Sequence, residues 1–178
     1  GKWGIVNNEG KIIVEPKYLN VYIPNPSVDV FVLQTEEGFV VVNSKESKLF
    51  EGFDNLSVIR MNEYSEEVEM NVLTYEVDSK KGIIDLSGNK LTEAIYDDIK
   101  SLESRPGRLL VKKDNKYGVL DSLGNIVVDV KYNAVKSDGY STAEDGYSKT
   151  GYIISERTDN GIIYGYSDYE GNILIEPK

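Results

Sequence analysis

The sequence Asp138-Gly139-Tyr140-Ser141 recurs seven residues later as Asp145-Gly146-Tyr147-Ser148. Tyrosine faces beside carboxylates suit one kind of chemistry above others. The ring packs on the axial C–H groups of a sugar, while the carboxylate accepts hydrogen bonds from its hydroxyls. With the nearby Tyr152, the candidate ligand set is Asp138, Tyr140, Asp145, Tyr147 and Tyr152, all in the loop 138–152. The structural alternative is plainer: two Asp-Gly turns in a surface loop, with no ligand.

The rest of the inventory narrows the chemistry further. The 178 residues include no cysteine and no histidine. That removes thiolate and imidazole catalysis, structural zinc sites, haem ligation and any disulfide. Carboxylates, hydroxyls and lysines remain. A glycosidase pair needs two carboxylates about 5 to 10 Å apart in a cleft, and no acidic residue stands out in an apolar setting, so no catalytic residue is expected. Asp85, Asp121 and Asp168 each sit alone in a short turn. Calcium wants roughly six to eight oxygens, so neither metal nor cofactor is expected.

Twenty basic residues against thirty acidic ones leave a net charge of −10. A chain of that sign is a poor partner for nucleic acid or for an anionic membrane surface. No apolar run reaches the roughly 18 residues of a membrane span, so no membrane insertion is expected.

These candidates are carried by a repeated element. It reads Lys2-Trp3-Gly4-Ile5-Val6-Asn7-Asn8-Glu9-Gly10, then Lys81-Gly82-Ile83-Ile84-Asp85-Leu86-Ser87-Gly88. It returns as Tyr117-Gly118-Val119-Leu120-Asp121-Ser122-Leu123-Gly124 and as Tyr164-Gly165-Tyr166-Ser167-Asp168-Tyr169-Glu170-Gly171. With the first glycine as origin, an Asp or Asn follows at +3 and a second glycine at +6. Asx, two residues and Gly predict a type I turn closed by a left-handed glycine, and therefore a β-hairpin.

A second apolar run follows the turn (Ile12-Ile13-Val14, Ile126-Val127-Val128, Ile173-Leu174-Ile175), and Tyr18, Tyr96 and Tyr132 stand at +14. These tyrosines are expected to be buried rings with their hydroxyls at the rim, and Trp3 and Tyr117 to pack between neighbouring units. Pro16 and Pro177 predict that the second strand ends or lies at a sheet edge. Phe39-Val40-Val41-Val42-Asn43 begins a degenerate copy, whose turn Ser44-Lys45-Glu46-Ser47 has lost its glycine and, on this reading, one residue. Alternating stretches near Asp29–Leu33, Val68–Leu73, Arg108–Lys112 and Tyr152–Ser155 read as further strands, and no window carries a helical stripe.

The predicted fold is all-β: one repeat array over 1–178 with units of about 2–36, 37–79, 80–115, 116–160 and a partial 161–178. Each holds three or four short antiparallel strands, as propeller-like blades or as an open β-hairpin solenoid. Insertions fall at Pro24-Asn25-Pro26-Ser27, at Asn62–Glu67 and, the longest, between Gly118 and Gly165.

Trp3-Gly4, the Asp-turn-Gly triplets, Glu15-Pro16-Lys17-Tyr18 and Tyr96-Asp97 resemble the WG (or KWG) repeat family. The likeness runs through nearly the whole chain, as four copies and a truncated fifth, though Phe39, Lys81, Tyr117 and Tyr164 replace the tryptophan in later copies. The resemblance implies bacterial β-rich tandem arrays acting as interaction surfaces, and it supplies no catalytic residue. The final Ile175-Glu176-Pro177-Lys178 stops one residue before the tyrosine expected by analogy with Tyr18, as in a piece of a longer array. Because Gly10–Lys17 and Gly171–Lys178 overlap in repeat phase, a closed ring is disfavoured. Three functions compete: a protein-interaction or scaffold module, favoured and placed outside the cytoplasm; a glycan or cell-wall binder using the 138–152 loop; and a passive spacer.

Overall fold

The computed structural model describes residues 1–59, 70–102, 107–138 and 151–178, with two short strands at 142–143 and 146–147. The described chain is all-β, in several small antiparallel sheets that close no barrel. It divides into two compact units, Gly1–Ile95 and Tyr96–Lys178.

The first unit opens with a two-stranded sheet, β1 (Trp3–Val6) and β2 (Ile12–Tyr18). A four-stranded meander follows: β3 (Asn20–Tyr22), β4 (Phe31–Thr35), β5 (Gly38–Val42) and β6 (Lys48–Phe53). The third sheet holds β7 (Leu56–Val58), β8 (Val72–Val77) and β9 (Lys80–Asp85), with Ile84 bridging to Lys90 at the place of a fourth strand.

The second unit contains two further meanders. One runs β10 (Asp98–Ser101), β11 (Arg108–Lys113), β12 (Lys116–Asp121) and β13 (Ile126–Tyr132). The other begins with β14 (Ala134–Ser137), and the tiny hairpin β15 (Thr142–Ala143) and β16 (Gly146–Tyr147) intervenes. It resumes as β17 (Tyr152–Thr158), β18 (Gly161–Ser167) and β19 (Ile173–Ile175). The copies were counted from the aromatic-glycine strand. The hydrogen-bonded sheets are cut at another phase, opening on the short strand after the tyrosine and placing the aromatic-glycine strand third.

The turn chemistry follows the Asx prediction closely. Asp121 Oδ1 accepts from the amides of Leu123 at 2.9 Å and Asn125 at 2.8 Å, while Asn125 Nδ2 donates to Oδ2 at 2.9 Å. Asp85 and Asp168 repeat the arrangement with Asn89 and Asn172. The degenerate copy keeps the same turn at full length, contrary to the expectation of a lost residue. Asn43 caps the amides of Lys45 and Ser47 at 3.0 Å each, and Glu46 takes the left-handed position with φ 52°. Its carboxylate is occupied by Lys17 Nζ at 3.2 Å and the Glu15 amide at 3.3 Å. The other hairpins turn on two residues, both left-handed at Asp78-Ser79 and Asp114-Asn115, as the type I′ turn demands.

The glycine after the aromatic has a reason the turn does not supply. Between Tyr117↔Tyr132 and Val119↔Val128 the partner strand β13 carries two extra residues, and this bulge arches over Gly118. A Cβ on Gly118 would lie 2.5 Å from the Val128 carbonyl oxygen; one on Gly4 would lie 2.4 Å from that of Val14. Glycine is thus required by close backbone approach. The same bulge lets β2 pass through Pro16 as an edge strand without ending there.

Each unit has its own core. In the first, Val32, Val41, Leu73, Tyr75 and Ile84 are buried together, with Phe53 edge-on to Tyr75. In the second, Val119, Val128, Tyr132, Val135, Tyr152 and Ile154 form the cluster. Tyr96 and Tyr132 are buried as expected, Tyr18 is half-buried, and Tyr117 is partly covered. Trp3 departs from expectation: it is 61% exposed, as is the equivalent Tyr164 on β18 at 57%. The connector Pro24–Ser27 is anchored by Asn25, which is buried and donates to Asn71 Oδ1 at 2.9 Å.

Candidate functional site

The long insertion leaves β14 and re-enters at β17, and its two ends are tied together. The Asp138 amide donates to the Gly151 carbonyl at 3.3 Å. The Gly151 amide reaches Asp138 Oδ2 at 3.2 Å and the Tyr166 hydroxyl oxygen at 2.7 Å, and that hydroxyl donates to the same Asp138 oxygen. Gly151 passes so close to β18 that a Cβ would overlap the Ser167 carbonyl oxygen, at 1.8 Å. Asp138 therefore works as a clasp at the neck of the loop, with Oδ2 engaged by its own sheet.

Of the other sequence-predicted site residues, Tyr140 and Asp145 lie outside the described residues, as does the acidic insertion Asn62–Glu67. Tyr147 belongs to the short hairpin and pairs with Thr142. Tyr152 is a correction. Its side chain is fully buried, stacked on Tyr169 with ring centroids 6.3 Å apart, so it offers no face to a sugar. Its hydroxyl accepts from Arg108 Nε at 3.1 Å and donates to the Tyr169 carbonyl at 3.4 Å, while the Arg108 guanidinium lies 4.2 Å from the Tyr169 ring centroid. Alternation along β17 dictates this. Tyr152 and Ile154 share the face that meets the core, and Ile153 takes the outer one.

The turn carboxylates are likewise engaged. Burial pushes the Asp85 and Asp121 carboxyls up, but hydrogen bonds from the side chains and amides of Asn89 and Asn125 outweigh it and hold both below the usual carboxylate range. At Asp168 the Asn172 side-chain amide is the leading cause of the same downward shift. Among the described residues no group of three or more acidic side chains converges as a metal site would require.

Sequence reasoning missed the surfaces that the folded units leave open. On β18, Ile162 and Tyr164 project from one face, 50% and 57% exposed, and Ile175 joins that face as the cross-strand partner of Tyr166. The signal was present: β18 carries apolar residues on both faces, Ile162-Ile163-Tyr164, where a half-exposed strand alternates with polar ones. In the first unit, an open groove of about 720 Å³ runs beside Tyr18 and Phe39, with Lys2, Lys17, Glu36 and Glu51 on its walls. Lys17 pairs with Glu46 and Lys2 with Glu36, so its basic groups are already partnered.

Comparison with known families matches the WG containing repeat at residues 3–22 and 82–117. No curated protein matches the chain. The first segment opens at Trp3 and runs through the bulge to β3; the second runs from Gly82 to Tyr117, from one aromatic-glycine position to the next.

Proposed function

For a chain that carries WG-containing repeats, we propose a non-catalytic module that binds or displays other proteins. One observation carries this reading: the apolar row Ile162, Tyr164 and Ile175, exposed on a sheet whose opposite face buries Gly165 and Ser167. Water-exposed apolar groups of this size are stabilised when a partner covers them, at roughly 25 cal/mol per Å². The turn carboxylates of Asp85 and Asp121 have a structural use, capping their own turns through amides and asparagines. We include a place outside the cytoplasm in the proposal on the acidic composition alone.

A display library of random 12-residue peptides tests the reading. The expected result is enrichment of extended, apolar sequences whose binding is lost in the Ile162→Asp/Tyr164→Asp variant. A glycan array run beside it carries the opposite outcome. Sugar binding abolished by Tyr147→Ala, with no peptide enriched, would replace protein binding by glycan recognition through the 138–152 loop.

A further inference from the structure

At the rim of the first unit one ammonium group is held by rings instead of carboxylates. Lys90 Nζ lies 4.9 Å from the Tyr75 ring centroid and 5.8 Å from that of Phe53. Among the described residues it makes no ion pair, in a chain with thirty acidic side chains. An ammonium is attracted to the negative face of an aromatic ring, and several rings around one point make a cage for it.

Three rings form the corner, with Phe50 and Phe53 on β6 and Tyr75 on β8. Phe53 stands edge-on to both neighbours, 5.9 Å from Phe50 with planes at 85° and 5.6 Å from Tyr75 with planes at 65°. The outer rings are braced from behind. Phe50 lies against Gly88, where a Cβ would sit 2.9 Å from its Cγ. The Tyr75 ring covers Gly82, where a Cβ would meet it at 2.5 Å, and its hydroxyl donates to the Thr92 carbonyl at 2.8 Å. Walls held in this way cost little to order around a ligand.

The second unit shows what the repeat places there otherwise. Ile173 pairs with Ser167 as Lys90 bridges Ile84, and Ile154 stands opposite Gly165 as Tyr75 stands opposite Gly82. Val128 and Tyr132 stand opposite Val119 and Tyr117 as Phe50 and Phe53 stand opposite Val41 and Phe39. Val128, Tyr132, Ile154 and Ile173 all pack in the second unit's core. In the first unit the same four positions hold three rings and an ammonium. The aliphatic residues are exchanged together for the set that cation binding needs.

We propose that Phe50, Phe53 and Tyr75 form a site for an alkylammonium group, best a quaternary one, and that Lys90 is its resident competitor. Lys90 is exposed, and an exposed cation–π contact is weak, so its side chain gives way to a better cation. A quaternary ammonium is that cation, because its methyl groups pack on the ring faces. Burial and, after it, the Glu93 carboxylate push the Tyr75 hydroxyl above its usual pKa, which places a negative charge beside the rings. The site shares no residue with the row on β18 and β19, so either reading can fail without the other.

Tetramethylammonium chloride titrated into the whole chain, followed by proton NMR, tests the site. Methyl protons over ring faces move upfield, which attraction to an acidic surface does not cause. The expected result is a saturable upfield shift of the tetramethylammonium signal. Lys90→Ala should tighten binding about two- to fivefold by removing the competitor. Phe53→Leu, a swap between apolar side chains at a half-buried position, should abolish the shift. A Gly-Ser peptide carrying one trimethyl-lysine, run beside the free ion, separates the sources. Tighter binding of the peptide supports the site as a reader of a partner protein's side chain; tighter binding of the free ion supports it as a small-molecule site.

A flat titration at tens of millimolar tetramethylammonium, in both the parent and Lys90→Ala, overturns the proposal. A shift that Phe53→Leu leaves unchanged does so too. If Phe53→Leu does not fold, the Lys90→Ala contrast decides, since an affinity equal to the parent's would place the ion elsewhere.

Discussion

The β1–β2 sheet and the β10–β13 sheet contain the same hairpin. In both, an Asx turn joins two strands, and in both the second strand bulges across a glycine to bring a tyrosine beside the preceding aromatic: Trp3↔Tyr18 in one, Tyr117↔Tyr132 in the other. They differ in what lies beyond the glycine strand. Where β11 pairs with it, Leu120 is 0% exposed; where no strand among the described residues does, Val6 is 61% exposed. Hairpin geometry is thus a local property of the repeat, and burial is a property of the sheet around it.

The largest expected effect tests that division directly. Leu120→Ala should cost about 2–5 kcal/mol, because it removes a fully buried side chain and leaves a cavity. Val6→Ala should stay within about 0.5 kcal/mol. Urea unfolding of the two variants reads the contrast, and equal costs would show that β1 is as well covered as β12.

A smaller effect probes what the hairpins share. Asp121→Ala strips the caps from two turn amides and should cost about 1 kcal/mol near neutral pH. The capped carboxyls of Asp85, Asp121 and Asp168 titrate below their unfolded value of about 3.9. Their contribution is complete above that pH and is lost as pH falls through the folded values. Acid unfolding of the parent should therefore begin below about pH 4. The difference between parent and Asp121→Ala should shrink over the same interval, and a constant difference down to pH 2 would mean that the carboxylate charge is irrelevant to the turn.

The smallest effect sharpens the comparison within the second unit. Ser167 takes the core position that Leu120 and Ile84 hold elsewhere, and its hydroxyl finds no partner among the described residues. Removing it should help. Ser167→Ala is expected to raise stability by up to about 1 kcal/mol, seen as a rise of a few degrees in Tm; a lower Tm would reveal a bond to the hydroxyl.

Much of the fold was legible along the chain because it rests on interactions within a dozen residues. The Asx side chain, the turn glycine and the alternating strands each declare themselves locally, and the degenerate copy shows how robust the signal is. Asn43 still caps its turn though Glu46 has replaced the glycine. The bulge over Gly118 was foreshadowed only by the aromatic-glycine spacing. Its cause, a carbonyl from the partner strand where a Cβ would sit, lies in the pairing.

The candidate site was less legible, and Tyr152 shows why. An Asp-Gly-Tyr-rich insertion reads as a binding loop, but whether a tyrosine faces ligand or core depends on which face of β17 meets the second unit's core. Arg108 and Tyr169, which hold its hydroxyl and ring, are 44 and 17 residues away along the chain.

Composition excluded thiol and imidazole chemistry, and the repeat specified strands, turns and their order, since these depend on residue type and near-neighbour spacing. Which of the repeated positions became core, clasp or open edge was settled only by the assembled sheets. A repeat presents an apolar residue at the same position in most copies, and whether water is removed from it depends on the strand that chain folding brings alongside.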